Sequence, residues 1–92
     1  MNTIWKYIVK TGTTQLTIPK NAVFLYLTMQ HNEMTLWFQV NDLLEKEIRT
    51  FQTVETGGRI STDYKYLGTF NLRESWVEGH SYVLHLYERI KS

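Results

Sequence analysis

Apolar and polar residues alternate along most of this 92-residue chain, which is the period of a strand with one buried face. No stretch sustains the i, i+3, i+4, i+7 stripe of an amphipathic helix. The first strand expected is Thr3 to Lys10, with Trp5, Tyr7 and Val9 on one face and Ile4, Lys6 and Ile8 on the other. Thr11-Gly12-Thr13 reads as a turn. Thr14 to Ile18 is a short second strand that Pro19, lacking an N–H, brings to an end, and these two strands are expected to pair as a hairpin. Val23 to Gln30 and Met34 to Val40 form a second, central hairpin. In it Val23, Leu25, Leu27 and Met29 share a face, and Met34, Leu36, Phe38 and Val40 point inward. Its turn, His31-Asn32-Glu33, contains an Asn able to adopt a left-handed conformation.

Leu43 to Lys46 fits one helical turn or a wide loop. Glu47 to Glu55 alternates without a strongly apolar face, as an edge strand or a polar-lined sheet would. After the turn Thr56-Gly57-Gly58-Arg59, Tyr64 to Leu72 is a strand whose interior Gly68 marks a bulge or a close backbone approach. Arg73 to Gly79 is a loop carrying Trp76 and Val77, and His80 to Ile90 is the closing strand.

Composition strengthens this reading. Ile, Val and Thr supply 24 residues and aromatics 13, whereas Ala occurs once, at Ala22. β-Branched and ring side chains suit a pleated, half-buried surface. The expected fold is therefore all-β, one domain over residues 1–92, built as a compact antiparallel sandwich or partly closed barrel of six to eight short strands.

Charge and chemistry narrow the function classes. Ten Lys and Arg against nine Asp and Glu leave a formal charge of +1, too mild for a nucleic-acid surface, so nucleic-acid binding is not expected. No Cys is present, which removes disulfides, thiolate metal sites and Cys nucleophiles. The apolar run Val23 to Leu27 is far short of a membrane span, and Met1-Asn2-Thr3-Ile4-Trp5-Lys6 lacks the plan of a secretory signal. A soluble, cytoplasmic protein is expected. His31, His80 and His85 do not share a face in the expected strands, so no metal or other cofactor is expected. No Ser lies in a nucleophile elbow and no pair of acids converges, so the chain reads as a non-enzyme.

Two positive signals remain. Thr56, Gly57, Gly58 and Arg59 combine turn N–H groups with a guanidinium, and with Arg49 and a ring wall from Tyr64 or Tyr66 they form a candidate site for a small anionic ligand such as a nucleotide. The plainer alternative is a tight turn with a solvated Arg, with Arg49 paired to Glu47 or to an acid on a neighbouring strand. Second, the rings outnumber what one small core encloses, so some face a partner or pack in a second small core. Open sheet edges and surplus rings lead to an expected homodimer or small homo-oligomer.

The chain also resembles a family of short uncharacterised proteins encoded by bacteriophages and prophages. The resemblance rests on Thr3-Ile4-Trp5-Lys6-Tyr7, Thr17-Ile18-Pro19 with Ala22, Leu36-Trp37 with Val40, and Glu47 with Arg49-Thr50-Phe51. It continues through Thr56-Gly57, Tyr66-Leu67-Gly68-Thr69-Phe70, and Val83 with His85 and Tyr87-Glu88. It covers nearly all of the chain, with departures at Val23-Phe24, Leu43-Leu44 and Arg73 to Gly79. It implies an accessory protein acting in the bacterial cytoplasm, and it transfers no activity to particular residues. Together these readings lead to an expected binding module, a counter-defence factor capturing a host protein or a small signalling nucleotide. The alternatives are a single-stranded nucleic-acid binder and a structural virion or assembly component.

Overall fold

The computed structural model describes residues 1–72 and 82–90. It contains seven strands: β1 (Asn2–Val9), β2 (Thr13–Pro19), β3 (Val23–Gln30), β4 (Glu33–Asn41), β5 (Lys46–Glu55), β6 (Tyr64–Leu72) and β7 (Tyr82–Arg89). They form a three-stranded sheet of order β1-β4-β3 and a four-stranded sheet of order β2-β5-β7-β6. Every neighbouring pair is antiparallel. The two sheets pack face to face as a sandwich and do not close into a barrel.

The inward alternation of each strand fills the space between the sheets. Phe38 of β4 has no exposed surface and meets Tyr7 of β1, Phe24 of β3 and Phe51 of β5 edge to face, with ring centroids 5.9, 5.7 and 6.1 Å away. Those spacings are the favourable range for T-shaped ring pairs. Val9, Ile18, Leu36, Val40, Phe70, Leu84 and Leu86 complete the buried cluster. Met34, Leu36, Phe38 and Val40 all point inward, as their alternation predicts.

The central hairpin forms as expected. Gln30 pairs with Glu33, leaving His31 and Asn32 as a two-residue loop with φ of 50° and 63°. Both values are positive, the requirement of the turn whose twist matches that of the flanking strands.

Two local expectations need correction and two open alternatives are decided. β1 and β2 are not a hairpin, because β1 pairs with β4 and β2 with β5. The chain changes sheet at Gly12, whose φ of 93° suits the crossing, and both strands keep their alternation whichever partner they take. Strict alternation also fails in β3, where Leu25 is an extra residue between the pairs Phe24–Phe38 and Tyr26–Trp37. That bulge brings Phe24, Leu27 and Met29 to the core side and leaves Val23, Leu25 and Tyr26 exposed. β5 is an interior strand rather than an edge, its polar inner face being explained by Arg49, described below. The Leu43 to Lys46 segment is a loop that passes into β5 at Lys46. The loop carrying Trp76 and Val77, and His80 at the expected start of the last strand, lie outside the described residues.

Gly68 meets both of its expected roles. Leu67 is an extra residue between the pairs Tyr66–Tyr87 and Gly68–Leu86, and a Cβ on Gly68 would lie 2.6 Å from Cδ2 and 3.1 Å from Cγ of Leu27. The position is the point where β6 and β3 meet across the sandwich. Gly68→Ala should therefore cost about 1–3 kcal/mol, the usual range for overpacking. Denaturant unfolding should show a smaller penalty for the same change in a Leu27→Val background, and equal penalties in both backgrounds would refute this contact as the cause.

Candidate functional site

The two outer faces of the sandwich differ in chemistry. On the three-stranded sheet the register aligns Lys6, Trp37 and Tyr26 in one row, Ile4, Gln39 and Val23 in the next, and Ile8, Thr35 and Thr28 in a third. Ile4, Val23 and Tyr26 are 58%, 53% and 61% exposed, and the Tyr26 and Trp37 rings lie 6.0 Å apart. Lys6 donates to Gln30 Oε1 at 2.9 Å across this face. Glu33 at its far end balances the Lys6 charge. The result is an electrically neutral patch of rings and branched aliphatic side chains turned away from the core.

The four-stranded sheet presents Thr13, Gln15 and Thr17 from β2, Ile48, Thr50, Gln52 and Val54 from β5, His85 and Tyr87 from β7, and Tyr66 and Thr69 from β6, with Ile48 59% exposed. His85 shares a hydrogen through Nε2 with Thr56 Oγ1 and through Nδ1 with Thr69 Oγ1, each at 2.9 Å. Thr69 Oγ1 is in turn 2.5 Å from Tyr66 Oη, and the Tyr66 ring meets Tyr87 edge on at 5.5 Å. Both imidazole nitrogens are thus occupied, and the chain of hydroxyls ties the β5–β6 turn to the sheet. Thr56 and Thr69 each pair a hydroxyl with an imidazole nitrogen of His85, and none of the three lines the cleft described next. No three His, Cys, Asp or Glu side chains converge as a metal cage among the described residues.

A cleft of ≈ 490 Å³ opens where β5 and β7 part beyond the pair Phe51–Glu88, lined by Glu47, Arg49, Asp63, Lys65, Glu88 and Arg89 among others. Its inner wall is structural. Arg49 donates through Nε and Nη2 to the two carboxylate oxygens of Glu88 and through Nη1 to the Ala22 carbonyl at 2.7 Å. The guanidinium carbon also lies 5.1 Å from the Phe38 ring centre. The two side chains are only 16% and 14% exposed, so this forked pair is the polar seal at one end of the core. At the rim Asp63 is held below the usual carboxylate range, chiefly by a hydrogen bond from Ser61, with Arg89 adding charge. Burial pushes the Tyr7 phenol on the core side upward.

Against this geometry the sequence candidates separate. Arg49 lies in the first half of β5 and Thr56 just past its far end, about 23 Å apart at the rise of an extended strand. Thr56 and Tyr66 are brought together through His85 and Thr69. Gly57, with φ of 89°, shapes the turn, and Gly58 spends its N–H on the Glu55 carbonyl at 2.8 Å. Arg59 is exposed and makes no hydrogen bond or ion pair among the described residues. Tyr64 lies opposite Arg89 in the β6–β7 register, and Tyr66 opposite Tyr87. The seven residues therefore occupy three separate places. Ile4, Val23, Tyr26 and Trp37 were not singled out as one surface. Their common face follows from the register of β1 and β3 on β4, and the bulge at Leu25 hides it from simple alternation.

The described residues define a small antiparallel β-sandwich that exposes Ile4, Val23 and Tyr26 on the outer face of its three-stranded sheet. The chain belongs to the family described as a domain of unknown function, DUF7352, which it matches over residues 1–92. No curated protein and no solved structure matches it.

The difference between Arg49 and Arg59 is measurable as stability. Glu88→Ala leaves a half-buried guanidinium without its carboxylate and should cost about 2 kcal/mol, below the 3–5 kcal/mol of fully buried pairs because some solvent reaches the site. Arg59→Ala should stay within about 0.5 kcal/mol. Chemical denaturation of the two variants, followed by Trp fluorescence, decides this, and equal effects would refute the sealing role of the Arg49–Glu88 pair.

Proposed function

We propose that this protein is a non-enzymatic binding module that captures a partner protein on the outer face of its three-stranded sheet. The observation that carries the reading is the contrast between the two outer faces. The four-stranded sheet also exposes Ile48 and Tyr66, but sets them among Thr, Gln and His side chains. The three-stranded sheet shows water Ile4, Val23, Tyr26 and Trp37 in adjacent rows. A contiguous patch of rings and aliphatic side chains in adjacent rows is the signature of a protein interface, in which Tyr and Trp act as anchors.

The neutrality of the patch favours protein over nucleic acid, since Lys6 and Glu33 cancel and a phosphate backbone finds no path of cations. A small signalling nucleotide is less well supported than a protein target, because Arg49 is committed to Glu88 and Ala22 and stands far from the Gly57-Gly58 turn. The resemblance to phage and prophage proteins supports a place in the bacterial cytoplasm and a role as an accessory factor that works by occupancy, such as blocking a host defence protein. A binder of that kind needs affinity and abundance rather than turnover.

Affinity capture from a bacterial host with tagged wild-type protein and with Tyr26→Ala tests the reading, after nuclease treatment to remove bridging nucleic acid. A near-stoichiometric partner should be retained by the wild type and reduced by about tenfold or more with the variant, as expected for loss of an aromatic anchor. The variant should keep its melting temperature, because Tyr26 is exposed. Identical retention by both proteins would refute the proposed face. Retention that depends on nucleic acid would refute the protein-partner reading itself.

A further inference from the structure

Among the described residues the sandwich has four edge strands, and three are visibly blunted. β2 ends in Pro19, β3 is broken by the bulge at Leu25 and β6 by the bulge at Leu67. β1 runs eight residues in unbroken register with β4, with neither bulge nor proline. The Asp42 N–H donates to the Met1 carbonyl, so by the alternation of an antiparallel ladder the odd residues of β1 bond to β4. The main-chain groups of Asn2, Ile4, Lys6 and Ile8 therefore line the free edge, with no backbone partner among the described residues.

From this edge we infer that β1 pairs with β1 of a second copy, antiparallel and centred on Trp5, joining two three-stranded sheets into one of six strands. Symmetry allows only a few registers in which even residues face even residues. Placing Trp5 opposite the partner's Trp5 bonds Asn2 to the partner's Ile8 and Ile4 to the partner's Lys6, and each again in reverse, so all four edge-facing residues of both strands are used. Centring the pair on Ile4 uses three. Centring it on Lys6 sets two ammonium groups directly opposite each other, a destabilising contact on one face of a sheet. Lys6 thus acts as a selector, repelling the register centred on itself while lying beside the apolar Ile4 of the partner.

The second copy is the fitting occupant on grounds of charge. The edge carries a single ion, Lys6, and the favoured register keeps the two copies of it on different rows. In this arrangement the Ile4, Trp37 and Tyr26 rows of the two protomers lie on the same side of one continuous sheet, which doubles the neutral patch. The inference stands without the capture function, since it uses only the free edge and its register.

Sedimentation equilibrium of the wild-type protein at high micromolar concentration should give a dimer. Ile4 is 58% exposed, so its replacement leaves the fold intact. Ile4→Lys sets a cation opposite the partner's Lys6 and should weaken the dimer by about tenfold or more. Ile4→Glu sets a carboxylate there and should preserve or tighten it. The chain has no Cys, so Trp5→Cys gives a clean second readout. Trp5 would occupy the close, non-hydrogen-bonded pair at the two-fold axis, and that variant should form a disulfide-linked dimer on mild oxidation, whereas Gln39→Cys on interior β4 should not. A wild-type monomer at these concentrations would overturn the inference. So would an Ile4→Lys protein that dimerises like the wild type, or an Ile4→Glu protein weakened as much as Ile4→Lys.

Discussion

Phe38 is the residue on which both sheets are assembled. It lies on the middle strand of the three-stranded sheet, and its ring touches Tyr7 from one neighbour, Phe24 from the other and Phe51 from the opposite sheet. The Arg49 guanidinium lies against the same ring and at once holds Glu88 of β7 and the Ala22 carbonyl that leads into β3. One aromatic side chain is therefore the meeting point of strands from both sheets. With so small a core, each such contact carries a larger share of stability than it would in a bigger domain. The cation over the ring explains how a half-polar strand can serve in the interior of a sheet: β5 brings a charge into the core margin only where a carboxylate fork, a carbonyl and a ring face receive it.

The sequence makes the strands legible because their information is local. Period-two alternation marks the inward residues of β4, and His31-Asn32 marks a turn that accepts positive φ. Gly68 announces both a bulge and a crowded approach before any partner is known. Pairing is not local, and the misreading falls there. Thr3 to Lys10 and Thr14 to Ile18 look like a hairpin because they are adjacent and joined by a Gly-containing turn, yet that turn moves the chain from one sheet to the other. Both arrangements bury the same side chains of β1, so alternation alone cannot choose between them. The bulge at Leu25 is a second case. Leu25 and Leu27 are the same residue type two apart, and only the register against Trp37 and Leu36 shows that one is out of the core and the other in it.

The candidate site was less legible for a related reason. A Gly-Gly-Arg turn with rings nearby in sequence suggests an anion cradle, but strands separate sequence neighbours as effectively as they join distant residues. Arg49 lies within β5 and Thr56 just past its end, so the strand holds them apart. His85, 29 positions from Thr56, is within hydrogen-bond reach of it. Conversely, Ile4, Trp37 and Tyr26 are scattered through the first half of the chain and form one surface because β1 and β3 flank β4. In a sheet protein a surface is a property of the ladder, and residue spacing reveals it only when the ladder is already known.

Charge in this molecule nearly cancels, ten cations against nine acids, and some of it is paired locally. Arg49 is paired with Glu88, Arg89 with Asp63, Lys20 with Glu45, and Lys6 is turned onto Gln30. Little long-range field remains to steer a partner, so association through the neutral face would proceed at the ordinary, orientation-limited rate of about 10⁵–10⁶ per molar per second rather than an electrostatically accelerated one. On the proposed reading, selectivity would come from fit and from slow dissociation, which rings and branched aliphatic groups buried on binding would supply and screening salt would not weaken. A surface of this kind suits a protein that acts by remaining bound, since its hold depends on the shape of the partner rather than on the ionic conditions in which they meet.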